Sequence, residues 1–486
     1  MSPLLRPEDL GGVLSSGGRR QAAGGTGDVV EPATGEVLAR VGLAAPEDVR
    51  SACALAAAAQ PGWARTGHRE RIRVLRNAAE LLAGHREEFA EWLVREGGAV
   101  KGKAQFEIDS VLDELHVAAG LPGQPPGQLL PPTPGRRSVA HRTPIGVVGV
   151  ISPWNVPLVL SMRAVAPALA LGNAVVLKPD PRTAVCGGVL IARLFEKAGL
   201  PEGVLHVLPG TAATGAALVE DPDVGMIAFT GSTAVGRAIG EKAGRALKRA
   251  SLELGGNNAL IVLADADVEA AAAIGAFSSF FHQGQVCMAA GRHIVLDSVA
   301  DAYARALAER ANALRVGDPW RQDVSLGPLI DAAQLKRVGG IVAESVAAGA
   351  RVLAGGTSRD LYYAPTVLTE VTPEMPAFRE EIFGPVAPII RVRDEEEAVR
   401  MANSGGHGLV AAIVTRAPER AELLADRLRV GMVHINDPII EDDAYVPFGG
   451  LGASGDGSRH GALHHWEQFT EWRWITTRDT ALSPVF

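Results

Sequence analysis

The chain has few cysteines, and they lie far apart. Its 486 residues include three, Cys53, Cys186 and Cys287, an odd number with no CxxC spacing. Neither a disulfide framework nor a cysteine metal cluster can be built from them, and we expect a reducing, cytoplasmic setting. The isolated histidines and the pair His464 and His465 lack the spacing of metal ligands, so no metal site is predicted.

The chain also lacks clustered positive charge and targeting segments. Its 47 Lys and Arg against 55 Asp and Glu give a net charge of -8, and its few aromatics are not interleaved with basic residues, so no nucleic-acid partner is expected. Residues 1–12 have no basic region followed by an apolar one, so no signal peptide is predicted. The longest uncharged run, residues 143–162, contains Pro144, Pro153 and Pro157 and predicts strand, turn and helix rather than a membrane span.

The length suggests two to four domains, at about 100 to 200 residues each. Residues 24–45 carry short strand patterns with turn residues and predict a small β meander. Residues 46–119 show apolar spacings of three and four, which predict amphipathic helices. Residues 121–135 contain six prolines and predict an extended connector.

Five short apolar runs after this connector predict buried parallel strands. They lie at residues 147–151, 173–177, 204–208, 226–229 and 259–263. Helical patterns such as Leu190–Ala198 lie beside them, and this alternation predicts a doubly wound α/β sheet. Ligands bind at the carboxyl ends of such strands, where the polar motifs at residues 153–155, 178–180 and 230–236 fall. A second alternation after Cys287 predicts another α/β domain.

Two alternating segments, residues 138–143 and 471–476, predict strands without a core of their own. Exposed edge strands tend to pair with other strands. We therefore expect the two segments to pair with each other and to be covered by another subunit.

Cys287 is the candidate nucleophile. It follows a polar turn at residues 283–285, and backbone N–H groups in such a turn are expected to lower the thiol pKa and leave the sulfur reachable. The alternative is that a lone cysteine is a small buried hydrophobe. The LELGG segment at residues 252–256 and the PWN tripeptide at residues 153–155 favour the nucleophile.

Seven motifs resemble, in the same order, those of the NAD(P)-dependent aldehyde dehydrogenase family, and they span nearly the whole chain. They are PWN at residues 153–155, KP at 178–179, FTGSTAVG at 229–236, LELGG at 252–256, GQVC at 284–287, EIFGPV at 381–386 and PFGGLGASG at 447–455. Within the family, residues 154–180 and 431–450 are similar to the benzaldehyde, salicylaldehyde and vanillin dehydrogenases.

The resemblance implies an α/β fold of the aldehyde dehydrogenase type, with two doubly wound α/β domains and a small β element for oligomerisation. Residues 1–123 and 144–254 are expected to form a Rossmann-like cofactor-binding domain, and residues 255–464 the catalytic domain. Residues 124–143 and 465–486 are expected to supply the oligomerisation strands. A homodimer or homotetramer is the implied assembly.

The resemblance also implies three catalytic residues. Cys287 would attack the aldehyde carbon, and the Asn155 side-chain amide and the Cys287 backbone N–H would stabilise the resulting oxyanion. Glu253 would activate the water that hydrolyses the thioester. Its position between Leu252 and Leu254 predicts apolar surroundings that raise its pKa toward the working pH. The alternatives are a helix cap for Asn155 and a surface position for Glu253.

A nicotinamide dinucleotide is the implied cofactor. The expected binding residues are Ser152, Trp154, Lys178, Gly231, Ser232, Gly255, Glu381 and Phe383. Ser232 would hold a pyrophosphate oxygen at a helix N-terminus. Lys178 would bind the adenosine ribose, unless it is a solvated surface lysine, and Glu381 the nicotinamide ribose, with Phe383 packing nearby. Pro181 stands where most NAD-preferring relatives have glutamate, so we expect NAD to work and NADP to be tolerated.

Four apolar residues are expected to line the approach to the thiol. They are Leu158, Phe281, Val286 and Met288. With no basic residue evident to bind a carboxylate, this pocket favours an aromatic aldehyde, as does the resemblance. The alternatives are an aliphatic aldehyde or semialdehyde dehydrogenase and, in a different class, a non-catalytic NAD-binding scaffold. The joint presence of Cys287, Glu253 and Asn155 argues against the scaffold.

Overall fold

The computed structural model describes residues 2–131, 133–462 and 464–481, so the last five residues of the predicted 465–486 segment lie outside it. The strands are β1 Val13–Ser15, β2 Arg19–Gln21, β3 Thr26–Val30, β4 Val37–Gly42, β5 Gly127–Leu129, β6 Arg137–Pro144, β7 Val147–Ile151, β8 Ala174–Lys178, β9 Leu205–Val207, β10 Val224–Gly231, β11 Arg249–Leu254, β12 Asn258–Val262, β13 Ala290–Leu296, β14 Arg351–Ala354, β15 Ser358–Arg359, β16 Tyr362–Tyr363, β17 Thr366–Thr369, β18 Val386–Val392, β19 His407–Gly408, β20 Val410–Val414, β21 Met432–Ile435, β22 Leu451–Gly452 and β23 Thr470–Thr477.

Helices cover the sheets. They are α1 Pro46–Arg65, α2 His68–Gly84, α3 Arg86–Gly97, α4 Lys101–Gly120, α5 Pro157–Ala170, α6 Leu190–Ala198, α7 Ala212–Glu220, α8 Thr233–Arg245, α9 Val268–Phe280, α10 Asp297–Ala313, α11 Ala332–Ala347, α12 Pro376–Arg379, α13 Glu395–Ala402, α14 Pro418–Ala425 and α15 His464–Phe469. Every residue of α5 is buried, because this helix lies inside the core instead of on its surface. In the described ranges, no helix combines the length and apolarity needed to cross a membrane.

The first sheet has seven strands in the order β11-β10-β7-β8-β9-β1-β2. The five strands from β11 to β9 are parallel, while β1 pairs antiparallel with β9 and β2. Both β7 and β8 are buried along their whole length, which explains their continuous runs of valine, leucine and isoleucine. The β1–β2 hairpin was not predicted.

The second sheet has the order β14-β17-β18-β13-β12-β20-β21 and is parallel except at β14. The predicted fold class, with two doubly wound sheets, is therefore confirmed. Strand β11 of the first sheet ends at Leu254 and β12 of the second begins at Asn258. The chain thus crosses between the sheets at residues 255–257, and the division into domains at residue 254 stays a prediction.

A third sheet joins distant parts of the chain in the order β23-β6-β5. The predicted pair is present as antiparallel β6 and β23, which place Trp474 opposite Ala140. The indole N–H of Trp474 donates to the Ser138 hydroxyl at 2.7 Å. Strand β5 lies within residues 124–143, which were expected to supply strands, and it forms part of the segment predicted to be an extended connector. Gly127 allows its close pairing with β6.

Candidate active site

The carboxyl ends of β7, β8, β10 and β11 open onto a cleft with two connected parts. The outer part has a volume of about 730 Å³ and includes Ser152, Lys178 and Asp180 in its wall. The inner part has a volume of about 500 Å³ and includes Cys287 and Glu253. Both parts share five residues, which are Pro153, Trp154, Thr230, Gly231 and Ser232. The cleft is therefore continuous and suits an elongated ligand.

Cys287 lies in the loop between α9, which ends at Phe280, and β13, which begins at Ala290. Three consecutive residues before it have left-handed backbone, with φ of 49° at His282, 56° at Gln283 and 67° at Gly284. The Gln283 amide donates to two backbone carbonyls, at 3.0 and 2.8 Å. The Cys287 carbonyl accepts from the Asn258 amide at 2.8 Å. The loop is thus fixed on both sides of the thiol.

The expected lowering of the thiol pKa was wrong. Burial, followed by the nearby Glu381 carboxylate, raises the pKa of Cys287 to about 12, and the Arg163 cation opposes this only in part. Cys287 also does not open a helix. Desolvation and carboxylates disfavour a thiolate, and here they outweigh the polar turn.

Asn155 lies between the end of β7 and the start of α5 and is buried. Its side-chain amide donates to the Gln285 carbonyl at 2.9 Å, two residues before Cys287. Its own carbonyl accepts from the Lys103 ammonium at 3.0 Å. The amide is therefore held against the loop that carries the thiol.

Glu253 lies near the end of β11, in register with Thr230 of β10. Its side chain is buried, and both carboxylate oxygens lack a hydrogen-bond partner among the described residues. Burial raises the pKa of Glu253 well above its ordinary value, with Arg163 acting in the opposite direction. A buried carboxyl without partners can take up or release a proton in this cleft.

The wall of the outer part carries charged groups after β8. Lys178 is buried at the end of this strand, and burial lowers its pKa. The Arg182 guanidinium donates to both Asp180 oxygens at 2.9 Å and to Asp331 at 2.9 Å. It also lies over the Trp154 ring, 5.0 Å from the centroid. The acid nearest to Lys178 in sequence is therefore already paired.

The shared part of the cleft contains a helix N-terminus. The Ser232 hydroxyl caps α8 and accepts from the Val235 N–H at 3.4 Å. Gly231 leaves no room for a side chain, because a Cβ there would lie 2.5 Å from the Phe229 ring. Free N–H groups at such a terminus suit a phosphate. Ser152 lies behind this region, where its hydroxyl accepts from Ser161 at 2.7 Å.

Glu381 closes the other side of the inner part. It accepts from the Gly256 N–H at 3.0 Å, and a Cβ at Gly255 would lie 2.2 Å from its carboxylate. Burial raises the pKa of Glu381 to about 7. The Phe383 ring packs edge to face on Trp154, with centroids 5.5 Å apart.

The residues expected to line the substrate approach are not among those that border the inner cleft. Leu158 is fully buried in the core of the first sheet, and Val286 and Met288 pack in the core of the second. The Phe281 ring packs against two other phenylalanine rings. None of the four borders the inner cleft, whereas Leu160 does. Leu158 has no exposed surface, and the lining role expected of these residues stays a prediction.

Arg337 borders the inner cleft, whereas Arg163 is not among its lining residues, so the expectation of a substrate approach without a basic residue stays a prediction. Arg163 is buried, donates to Glu114 at 3.3 Å, pairs with Asp442 and lies 4.3 Å from the Phe448 ring centroid. Its charge opposes the pKa increases of Cys287 and Glu253. Sequence reasoning missed Arg163, although it is the only charged residue within α5.

Comparisons with known proteins agree over almost the whole chain. A family model described as the aldehyde dehydrogenase family matches residues 20–475. A vanillin dehydrogenase of Amycolatopsis sp. is 54% identical over 98% of both chains. A benzaldehyde dehydrogenase (NAD+) of Pseudomonas putida is 53% identical over 94% of both. The solved structure of a betaine aldehyde dehydrogenase of Staphylococcus aureus in complex with NAD+ matches with a TM-score of 0.94 at 29% identity, covering 97% of this chain and 96% of that one.

Proposed function

The chain belongs to the aldehyde dehydrogenase family, and on that premise we propose that it oxidises an aromatic aldehyde to the carboxylate with NAD. The observation that carries the proposal is the convergence of Cys287, Glu253 and Asn155 on the inner cleft, which continues into a second cavity large enough for a nucleotide. The printed names of the two similar relatives, a vanillin and a benzaldehyde dehydrogenase, support the aromatic substrate.

Cys287 is the proposed nucleophile. The thiol gives its proton to water, and its sulfur then bonds to the aldehyde carbon while the carbonyl oxygen becomes an oxyanion. The Asn155 amide and the Cys287 backbone N–H are the proposed donors to that oxygen; losing one such donor typically costs about 3 to 4 kcal/mol of barrier. NAD, when bound, supplies the hydride acceptor for the oxidation.

Glu253 is the proposed general base for the second half of the reaction. Its carboxylate takes a proton from water, the hydroxide adds to the thioester carbonyl, and the C–S bond breaks to give the carboxylic acid and the Cys287 thiolate. The proton of the acid passes to the thiolate, so the carboxylate leaves and the thiol is restored. The raised pKa of Glu253 brings its proton affinity closer to that needed at neutral pH. The absence of a partner for its oxygens among the described residues leaves them available to water.

The proposed cofactor contacts run along both parts of the cleft. Lys178 is assigned to the adenosine ribose, Ser232 at the start of α8 to the pyrophosphate, and Glu381 to the nicotinamide ribose. Gly255, Phe383 and Trp154 shape the space between them, and Ser152 forms part of the wall of the outer part. These positions support a fit because Gly231 and Gly255 leave the close approach that a dinucleotide needs.

NADP is proposed to be tolerated beside NAD. An unpaired acid after β8 would accept from a ribose 2'-hydroxyl and repel a 2'-phosphate. Here Pro181 carries no acid, and the Asp180 carboxylate is occupied by Arg182 at 2.9 Å. The paired group presents less negative charge to a phosphate than a free carboxylate would.

A homodimer or homotetramer is proposed, with residues 124–143 and 465–486 as the contact strands beside a cofactor-binding domain of residues 1–123 and 144–254 and a catalytic domain of residues 255–464. In the described part of these strands, several large apolar side chains are exposed. They are Leu129, Trp472, Trp474 and Ile475. An exposed apolar face on a three-stranded sheet suits burial against a second copy.

A substrate panel tests the function. The purified enzyme is given benzaldehyde, salicylaldehyde, vanillin, hexanal and succinate semialdehyde, each with NAD and with NADP, and the absorbance of the reduced cofactor is followed. We expect kcat/KM to be highest for the aromatic aldehydes, and the preference for NAD over NADP to stay below about a thousandfold, or about 4 kcal/mol. A higher kcat/KM for hexanal or succinate semialdehyde would contradict the aromatic assignment.

A further inference from the structure

A buried ion pair lies behind the inner cleft. Lys103 and Glu107 occupy successive turns of α4, are 2% and 0% exposed, and their side chains are in contact. Burying two charges costs free energy unless further hydrogen bonds compensate for the lost contact with water. The other contacts of this pair should therefore explain why it is buried. None of the sequence motifs contains either residue.

Both charges reach the segment that carries Asn155. The Lys103 ammonium donates to the Asn155 carbonyl at 3.0 Å. The Glu107 carboxylate accepts from the Leu158 N–H at 2.7 Å and from the Val159 N–H at 3.3 Å, which belong to the first turn of α5. A carboxylate at this end of a helix also compensates its free N–H groups and its dipole.

The segment between these contacts has little freedom left. Asn155 is held at its carbonyl by Lys103 and at its side-chain amide by the Gln285 carbonyl, 2.9 Å away. The helix that follows is fixed by Glu107, and Pro157 restricts its first residue. The direction in which the Asn155 amide points is thus set by α4 on one side and by the loop of Cys287 on the other.

We propose that Lys103, together with Glu107, is a positioning residue that aims the Asn155 amide at the oxygen formed during catalysis. The inference rests on the proposed function, because it assumes that Asn155 donates to that oxygen. An oxyanion donor stabilises the transition state only when it is already in place, so a small rotation of the 153–157 segment weakens the hydrogen bond without removing the residue. Lys103 itself does not touch the reacting atoms.

The test replaces the ammonium and leaves the Asn155 side chain unchanged. Lys103→Met removes the donor but leaves Glu107 buried without a cation, so the double variant Lys103→Met/Glu107→Gln is made as well. In the double variant the amide oxygen still accepts from α5, and no unpaired charge remains. Lys101→Met on the same helix is the matched control, because Lys101 is exposed and its ammonium lies 5.7 Å from the Trp320 ring centroid.

Four measurements separate positioning from folding: the thermal unfolding midpoint, the Kd for NAD, kcat per NAD-binding site, and the deuterium isotope effect with benzaldehyde labelled at the formyl hydrogen. We expect the double variant to show a cooperative thermal unfolding transition, as a folded protein does, and to have a Kd for NAD within about twofold of the wild-type value. We also expect kcat to fall about 10- to 100-fold, part of the loss seen when an oxyanion donor is removed. The isotope effect should increase, since the oxidation step becomes slower than the later steps.

A folded double variant with the wild-type kcat and isotope effect would overturn the inference. So would an equal loss in Lys101→Met, or a loss of NAD binding that accounts for the whole decrease in rate. If the wild-type enzyme oxidises none of the aldehydes in the panel, the proposed function fails instead. The two failures are distinguished because the wild type is measured first.

Discussion

The charged groups at the two ends of the cleft differ in whether they are paired. At the outer end the Arg182 guanidinium is paired with both Asp180 and Asp331, so the carboxylates of this wall are paired before any ligand binds. At the inner end the Glu253 carboxylate has no partner in the described part of the chain, and burial raises its pKa and that of Cys287. Satisfied charges suit binding, whereas perturbed and unpaired groups suit proton transfer and bond formation.

The largest effect is expected from the thiol of the inner end. Cys287→Ser should lower kcat by at least about a thousandfold, because an alcohol in this buried site is a much weaker nucleophile. NAD binding, followed by the quenching of tryptophan fluorescence, should change little, since the outer end is untouched. Cys186→Ser, in a buried cysteine outside the cleft, is the control. Near-normal turnover in Cys287→Ser would show that the inner end of the cleft does not supply the nucleophile, so the two ends would no longer differ in bond-forming chemistry.

The next effect is expected at Glu253. Glu253→Gln keeps the shape of the side chain but cannot accept a proton, so steady-state turnover should fall about 10²- to 10⁴-fold. One equivalent of reduced cofactor per site should still form rapidly, because the oxidation of the first aldehyde precedes hydrolysis. Stopped-flow absorbance detects this burst. A variant that shows neither a burst nor turnover would place Glu253 in the first half-reaction as well.

The pH dependence of hydrolysis should report the same carboxyl. Its folded pKa is raised, so the carboxylate form is gained only as the pH rises through that value, and the rate should fall about tenfold per pH unit below it. Cys287 carries the acyl group at this stage and does not titrate. The measurement is the decay of a preformed acyl-enzyme between pH 6 and 9. The same slope in Glu253→Gln would assign the titration to another group.

The smallest effect is expected at the outer end, and it concerns the choice of cofactor. Arg182→Ala leaves Asp180 and Asp331 unpaired, so their charge should repel a 2'-phosphate and lower kcat/KM for NADP about tenfold. For NAD, which lacks that phosphate, the change should stay within about threefold. The double variant Arg182→Ala/Asp180→Asn should recover much of the activity with NADP. Equal losses with both cofactors would show that Arg182 acts on the shape of the cleft instead of its charge.

The motifs predict much of the inner cleft, because several of them lie at the carboxyl ends of strands. Asn155 follows β7 and Glu253 lies near the end of β11, 98 residues later in the sequence, yet parallel strands bring such ends to one edge of the sheet. Cys287 reaches the cleft differently, from the loop before β13 of the second sheet. The apolar runs also predict the buried strands closely, as with the run at residues 147–151 and β7. The alternation of strands with helices and the polar residues at strand ends are local properties of the chain. They can therefore be recognised in a single sequence.

Features that depend on tertiary packing could not be predicted in this way. The thiol pKa depends on burial and on Glu381, which is distant in sequence. The choice between Leu158 and Leu160 depends on how α5 is rotated in the core. The Lys103 and Glu107 pair has a spacing of four residues, typical of an exposed helix face. Only the packing of α4 against α5 shows that the pair is buried.

The Arg182–Asp331 contact also links the parts of the chain that carry the two sheets. Arg182 follows β8 of the first sheet, and Asp331 caps α11, which leads into the second. Both side chains are about one-third exposed or more, so dissolved ions screen their attraction. Raising the ionic strength should therefore weaken the Arg182–Asp331 contact across the cleft and speed the release of reduced cofactor. Where that release limits turnover, a moderately saline buffer should give the faster enzyme.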